Sequence, residues 1–344
     1  MRLIKHLNPL KTAIGYAVLA TGTTLLCSGA EGSLAKPFQV LYQGTLFPVF
    51  PLLGNYSTLI DFLILNPLMI YFLLKGYKQI KTKNGIIAGF GSSTPYHQIG
   101  QVVLSGIMAS VFMWYYYRGF LEGTYFDAII QPDEIGNIKV TFTGWVVFVW
   151  TTLIIFVLLF FSFSQIAYIR FLLGLKPKDI IYQPKHEDNA GGQSYLTRPL
   201  FNYFYASLVL ALVFLVFMIY DNSGDGIQES RRFQGALVFL IVAVPTLFLP
   251  IFHLRKLMQA RKNEYVSALR TKANKVYEEI FKPKDDQLSA IANELNYINY
   301  LERYNDLVKQ LPTWPMPLVT ITIPSVSVAI AIFKIILEVL KIPR

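Results

Sequence analysis

Cysteine and charged residues are both scarce in this chain. The 344 residues include a single cysteine, Cys27, which excludes an internal disulfide. Only 15% of the residues are charged, whereas soluble domains carry about 25%. Hydrophobic residues make up 53% of the chain. This composition excludes an ordinary soluble domain and indicates a protein whose solvent is lipid.

Motifs for catalysis and for cofactor binding are also missing. No histidine has a ligand partner three or four residues away, which excludes a zinc motif. The four histidines are His6, His97, His186 and His253. The sequence also lacks a Walker phosphate loop, a serine elbow and a pair of catalytic carboxylates. We therefore predict a protein that is not an enzyme and that carries no bound cofactor.

Long apolar runs separated by polar connections dominate what is present. A bilayer needs about 20 apolar residues for each helical span. The predicted spans lie near residues 12–29, 57–75, 99–118, 144–166, 200–220 and 233–252, and a further apolar run covers 318–340. The predicted fold class is all-α, a polytopic helical integral membrane protein with about seven transmembrane helices. Six remain if the last run is an interfacial helix.

Three segments allow more than one interpretation. Residues 12–30 fit a retained helix, but they also fit a signal peptide with a small-x-small cleavage site at Ser28 and Ala30. Residues 320–328 alternate with period two around Pro324, which favours a strand. Residues 31–56 are broken by glycine and proline, and we expect a surface loop with short helical turns.

The longest polar stretch, residues 253–312, has apolar residues at helical spacing in two segments. The first segment stops at Phe281-Lys282-Pro283, because proline cannot continue the hydrogen-bond ladder. Asp285 or Asp286 then offers an N-cap to the second. We predict an antiparallel helical hairpin between a transmembrane domain, residues 1–252, and a last transmembrane or interfacial helix, residues 313–344.

The distribution of Lys and Arg predicts the orientation of the chain. Basic regions and acidic or neutral regions alternate without exception along the sequence. The basic regions are 2–11, 75–83, 170–198 and 255–309, and the others are 31–56, 121–141 and 221–230. By the positive-inside rule, the amino terminus and the hairpin are cytoplasmic, in a bacterial inner (plasma) membrane. Orientation therefore explains the net charge of +10 without a nucleic-acid partner.

Polar residues inside the predicted spans are candidates for function. Asp61 lies within the second span, where a carboxylate costs several kcal/mol unless it is paired. It would form either a structural pair with Arg118, at the end of the third span, or a proton or cation site. Asn66-Pro67 interrupts the same span and would either free backbone carbonyls for a cation or form a packing kink.

A calcium motif is partly present between the fifth and sixth spans. Asp221, Ser223 and Asp225 occupy positions one, three and five of an EF-hand loop, and Gly226 occupies position six. Position twelve is Arg232, where the motif requires glutamate. The segment would be a weak external Ca²⁺ site or a polar turn without metal.

Two functions fit this sequence, and both place the protein in a lipid bilayer. The first is an oligomeric channel or transport protein, with the cytoplasmic hairpin as an assembly or gating element. Its pore would form between subunits, and Asn66, Thr151, Thr152 or the Thr/Ser row of the last apolar run would face it. The alternative is a non-catalytic sensor, effector or assembly subunit of a larger membrane complex, which docks a cytoplasmic partner through residues 253–312.

Overall fold

The computed structural model describes ten segments of the chain. They are residues 7–31, 38–42, 45–49, 59–82, 95–121, 130–132, 138–180, 193–220, 226–280 and 288–315. Within them lie seven α-helices: α1 Pro9–Ala30, α2 Asn66–Thr82, α3 Pro95–Leu121, α4 Phe142–Leu173, α5 Ser194–Tyr220, α6 Gly226–Ile280 and α7 Leu288–Lys309. A π-helical turn, Asp61–Leu65, leads directly into α2, and a 3₁₀ turn, Pro177–Asp179, follows α4.

Four helices of the described segments are long and apolar enough to cross a membrane. They are Pro9–Ala30, Phe142–Leu173, Ser194–Val213 and Ile241–Glu278. Each overlaps one predicted span. A shorter apolar helix, Ile99–Trp114, lies in the predicted third span. Large apolar side chains also face outward, as at Leu26, which is 76% exposed. Such surfaces are rare on soluble monomers and are compatible with a membrane location.

Two short β-hairpins occur in connections between helices. Strands β1, Phe38–Tyr42, and β2, Thr45–Val49, pair antiparallel across a two-residue connection. Strands β3, Ile130–Pro132, and β4, Ile138–Val140, also pair antiparallel. The expectation of helical turns in 31–56 is therefore wrong for Phe38–Tyr42 and Thr45–Val49. Aromatic and β-branched residues favour strands, and a two-residue connection favours a hairpin.

The chain forms two compact units. The first comprises residues 1–168 and 199–246, and the second comprises residues 169–198 and 247–344. The first unit contains most of the apolar helices. The second contains the carboxyl-terminal half of α6 and all of α7, which together cover most of the predicted hairpin.

Helix α1 begins at an N-cap that can be recognised in the sequence. Asn8 is its N-cap, and the side-chain oxygen accepts hydrogen bonds from the backbone N–H groups of Leu10 at 3.0 Å and Lys11 at 3.4 Å. Pro9 occupies the first helical position, where its missing N–H costs nothing. The carboxyl end of α1 is held by a distant part of the chain.

Glu31 caps the amino terminus of α4 across 111 residues of sequence. Its carboxylate accepts hydrogen bonds from the backbone N–H groups of Phe142 at 2.5 Å and Thr143 at 3.1 Å. A negative charge at a helix amino terminus is favourable, because the first N–H groups lack partners and the helix dipole is positive there. Further along, the indole of Trp150 donates to Thr23 at 2.9 Å. The two helices therefore run antiparallel and in contact.

Helix α2 is surrounded by other helices of the first unit. It contacts α1, its Tyr77 ring packs against α4, and its Phe72 ring lies 5.3 Å from Tyr205 of α5. Gly76 allows the closest approach, since a Cβ there would lie 3.3 Å from the Cβ of Asn202. One face of α2 is consequently inside the protein along its whole described length.

Candidate functional site

The candidate site begins at the π-helical turn that precedes α2. Pro67 has no N–H, and its ring would collide with the carbonyl four residues earlier in a regular α-helix. A π turn shifts the ladder by one residue, so the backbone N–H of Asn66 bonds the carbonyl of Asp61, five residues before it. The Asn66-Pro67 interruption is therefore a π turn, and the helix continues beyond it.

The same turn brings two predicted site residues together. The amide of Asn66 donates to Oδ2 of Asp61 at 2.9 Å, and Asn66 is buried. In a regular α-helix, side chains five residues apart point in different directions. The other carboxylate oxygen of Asp61, Oδ1, is shielded from solvent and has no hydrogen-bond partner in the described part of the chain.

Tyr16 of α1 completes this group, which we call the Asp61 cluster (Tyr16, Asp61 and Asn66). Tyr16 is only 7% exposed, it interacts electrostatically with Asp61, and its hydroxyl lies within reach of the Asn66 side chain. Its hydroxyl nevertheless makes no hydrogen bond of normal geometry within the described segments. Its ring packs edge-on against Trp150 at 5.3 Å, which fixes it in place. Two unpaired oxygens thus lie in one buried group.

A second polar group lies near the other end of α2. The amide of Asn202 in α5 donates to Oε1 of Gln79 at 2.7 Å. Tyr203 is fully buried beside Tyr77 and Tyr168 and interacts electrostatically with both of them. The hydroxyl of Tyr203 has no hydrogen-bond partner among the described residues.

Between the two polar groups, the buried face of α2 is purely apolar. The side chains on it are Met69, Ile70, Leu73 and Leu74, all buried. From Asp61 to Gln79 the helix rises by about 27 Å at 1.5 Å per residue, close to the ~30 Å hydrocarbon core of a bilayer. The face therefore has polar ends separated by an apolar middle.

The remaining predicted site residues are not joined to this group. The side chain of Arg118 lies outside the described residues, so the described partner of Asp61 is Asn66. Asp221, Ser223 and Asp225 also lie outside them. No group of three or more His, Cys, Asp or Glu side chains in the described ranges is arranged to hold a metal ion.

The two threonines expected to face a pore bond their own helix. Thr151 donates to the carbonyl of Val147 at 2.8 Å, and Thr152 donates to that of Phe148 at 2.7 Å. This back-bonding satisfies a hydroxyl in an apolar setting. Each hydroxyl keeps only its acceptor lone pairs for other contacts.

Sequence reasoning missed Tyr16, Gln79 and Asn202. Tyr16 lies in a run that reads as an ordinary apolar span, and its partner is 45 residues away in sequence. Gln79 and Asn202 are neutral residues near span ends, which are common there. The only signal in the sequence was weak: each of the three is a polar residue on a helical face whose other residues are apolar.

Contacts in the second unit join α6 to α7 at two places. The amine of Lys262 donates to the carbonyls of Lys309 at 2.5 Å and Leu311 at 3.0 Å. The hydroxyl of Tyr277 donates to the carboxylate of Glu302 at 3.2 Å, which raises the pKa of this exposed tyrosine above its ordinary value.

Buried apolar side chains and one cation–π contact also stabilise the second unit. The buried side chains of α7 and the residues after it are Ile298, Leu301, Val308 and Leu311. The guanidinium of Arg255 lies 4.2 Å from the ring centre of Trp314, a cation–π arrangement. The chain after α7 is thereby held against α6.

Comparison with known proteins adds no relative: no protein-family model, no curated protein and no solved structure matches this chain.

Proposed function

We propose that the protein is an oligomeric channel or transport protein of the bacterial inner membrane, in which small polar solutes or ions pass along the buried face of α2. The observation that supports this most directly is the pattern on that face, polar at both ends and apolar between them. A hydrophobic constriction between polar mouths is a common way to gate a pore. The amino terminus and the Gln79 end of α2 would lie on the cytoplasmic side, by the positive-inside rule.

We propose an oligomer because the first unit leaves many large apolar side chains uncovered. Exposed apolar surfaces on α1, α3 and α4 would face lipid or a neighbouring copy. The antiparallel contacts between α1 and α4 support α1 as one of the membrane helices of the working protein. With the other predicted spans, including residues 318–340, the proposed total is seven.

The proposed gating or assembly element is an antiparallel hairpin of α6 and α7. Two contacts support this arrangement, because Lys262 meets residues 309 and 311 while Tyr277 meets Glu302. Low numbers on one helix therefore pair with high numbers on the other. Since α6 runs from the predicted sixth span to Ile280, the hairpin is joined directly to that span.

The test is solute flux through proteoliposomes that contain the purified full-length chain. Leu73, which is 4% exposed, would be replaced by serine to wet the apolar middle of α2. Leu73→Ser is expected to raise the passive flux of small ions above the wild-type level. Leu68→Ser is the matched control, since Leu68 is on the same helix but 40% exposed.

Both variants must first elute as folded protein by size-exclusion chromatography, because a buried Leu to Ser change destabilises a core by several kcal/mol. Equal fluxes for wild type, Leu73→Ser and Leu68→Ser would contradict a route along this face. No flux of any solute in the wild type, under any voltage or Ca²⁺ condition, would refute the transport function itself.

A second function, docking of a cytoplasmic partner, is favoured by the outer face of α7. Tyr297, Tyr300 and Tyr304 stack in a row with ring centroids 6.4 and 6.3 Å apart. Tyr300 is 61% exposed. Tyrosine is enriched at binding hot spots, since it combines a large rigid ring with a polar tip. A stoichiometric subunit that co-purifies with wild type and is lost in Tyr300→Arg would favour this function over transport.

A further inference from the structure

Three features of the Asp61 cluster identify the ligand that it would take. The first is the number of available ligand atoms. Oδ2 of Asp61 already accepts from Asn66. That leaves Oδ1 and the Tyr16 hydroxyl as the atoms without a partner in the described segments. Metal cations that bind oxygen take six or more ligands, for example six for Mg²⁺ and six to eight for Ca²⁺. The two unpaired side-chain oxygens would fill at most a third of such a shell, whereas one proton needs only one donor and one acceptor.

The second feature is the charge around the cluster. The π turn contacts α1 and its own continuation α2. From α1 the titratable group facing Asp61 is Tyr16. On α2 the nearest cation is Lys75, nine residues beyond Asn66, and its amine donates to Tyr71 at 3.1 Å. No described cation therefore balances a carboxylate at Asp61, and an unbalanced charge at membrane depth costs several kcal/mol.

The third feature is the pairing of unsatisfied atoms. A carboxylate oxygen is an acceptor only, whereas a protonated oxygen also donates. As long as Asp61 is ionised, Oδ1 can only accept, and in the structure neither the Tyr16 hydroxyl nor the Asn66 amide donates to it. Once Asp61 is protonated, Oδ1 can donate and the Tyr16 oxygen can accept.

We propose that Asp61 is a reversible proton-binding site, and that its protonated Oδ1 donates a hydrogen bond to the hydroxyl oxygen of Tyr16. A proton from water forms the O–H bond on Oδ1 and returns to water when that bond breaks, so the exchange needs no other reactant. Asp61 is half-buried as a residue, although its Oδ1 is shielded from solvent. Asn66 holds Oδ2 and orients the carboxyl toward α1.

This site would couple the proposed transport to a proton gradient, and to that extent the inference rests on the proposed function. Binding of the proton, in contrast, can be tested without any transport. The full-length protein in lipid would be titrated while its infrared spectrum is recorded, because a protonated carboxyl has a C=O stretch that the carboxylate lacks. The chain has 21 Asp and Glu residues whose bands also titrate, so wild type is compared with Asp61→Asn at each pH. The expected difference spectrum shows one such band, which appears as pH falls.

Two tyrosine variants test the proposed hydrogen bond. Tyr16→Phe removes the acceptor and should lower the proton affinity of the carboxyl by roughly two- to tenfold, the range of one net hydrogen bond. Tyr203→Phe removes another buried, unpaired hydroxyl of the same unit and should leave the band and its midpoint unchanged. A higher proton affinity in Tyr16→Phe would overturn the proposed direction of the hydrogen bond.

Two further outcomes decide the proposal. If the same band persists in Asp61→Asn, or if Na⁺ at constant pH displaces the proton from Asp61, the site is not the proton site proposed here. Proteoliposomes separate this failure from failure of the transport function. Flux that survives in Asp61→Asn with unchanged pH dependence would refute the coupling and leave the transport proposal standing. If Asp61 titrates but the protein passes no solute, the transport proposal is refuted and the proton site stands.

Discussion

Substitution of Gly76 tests how closely α2 and α5 pack. A Cβ at residue 76 would lie 3.3 Å from Cβ of Asn202, 3.4 Å from the carbonyl oxygen of Pro199 and 3.4 Å from a ring carbon of Tyr203. Optimal carbon contacts are about 3.5–4.0 Å. One of these neighbours is backbone, so at least one helix must shift to admit a methyl group.

The expected magnitude follows from two opposing effects. Alanine is more favourable than glycine in a helix by about 0.8–1.0 kcal/mol. Inserting a methyl group into a packed site costs about 1–3 kcal/mol. Gly76→Ala should therefore leave stability unchanged or lower it by up to about 2 kcal/mol. Gly106→Ala in α3 is the matched control, because no described residue beyond the adjacent backbone of its own helix lies within 4 Å of the added Cβ.

The assay is the free energy of unfolding in mixed micelles, measured by titration with a denaturing detergent. Gly106→Ala should raise this free energy by up to about 1 kcal/mol. Since helix propensity is common to both changes, the difference between the two variants reports crowding alone, about 1–3 kcal/mol. The close approach of α2 to α5 would be refuted if Gly76→Ala stabilised the protein as much as Gly106→Ala does.

Three further predictions concern contacts between helices. Lys262→Met should speed amide hydrogen exchange at the end of α7, because the amine no longer bonds the carbonyls of Lys309 and Leu311. Lys272→Met, at an exposed position of α6, should leave that exchange unchanged. Equal exchange in both variants would argue against the Lys262 contact. Glu31→Gln should lower the free energy of unfolding by about 1–2 kcal/mol, since a charged cap becomes neutral, and an unchanged value would mean that the cap is not formed. The Tyr277–Glu302 bond raises the tyrosine pKa, so its stabilising effect is complete below the unfolded pKa of about 10 and is lost as pH rises through the folded value. Ultraviolet titration of wild type against Tyr277→Phe measures this, and an ordinary phenol midpoint would contradict it.

The helical segments could be predicted because their signals are local. The apolar run at 144–166 coincides with α4, Phe142–Leu173, and the described part of α6 reaches Ile280, the residue before the predicted stop. Hydropathy, N-caps and proline act over a few residues, so a single sequence reports them. The count of seven spans and the hairpin remain proposals.

The candidate site was predictable only in part. Asp61 and Asn66 stand out as polar residues in an apolar span, but their mutual hydrogen bond depends on a π turn. A regular helix would align Asp61 with Leu65 instead. Tyr16 joins them through packing of α1 on α2, which no local pattern encodes. Sequence reasoning therefore offered Arg118 as the partner by span depth alone.

The cap that Glu31 provides has a consequence for biogenesis. Its donors, Phe142 and Thr143, are made 111 residues later. At about 5–20 residues per second, the ribosome needs roughly 6 to 20 s to reach them. During that interval the Glu31 carboxylate lacks these two donors, and water hydrates it instead. In the proposed membrane topology, α4 replaces that water when it arrives and joins the two helices.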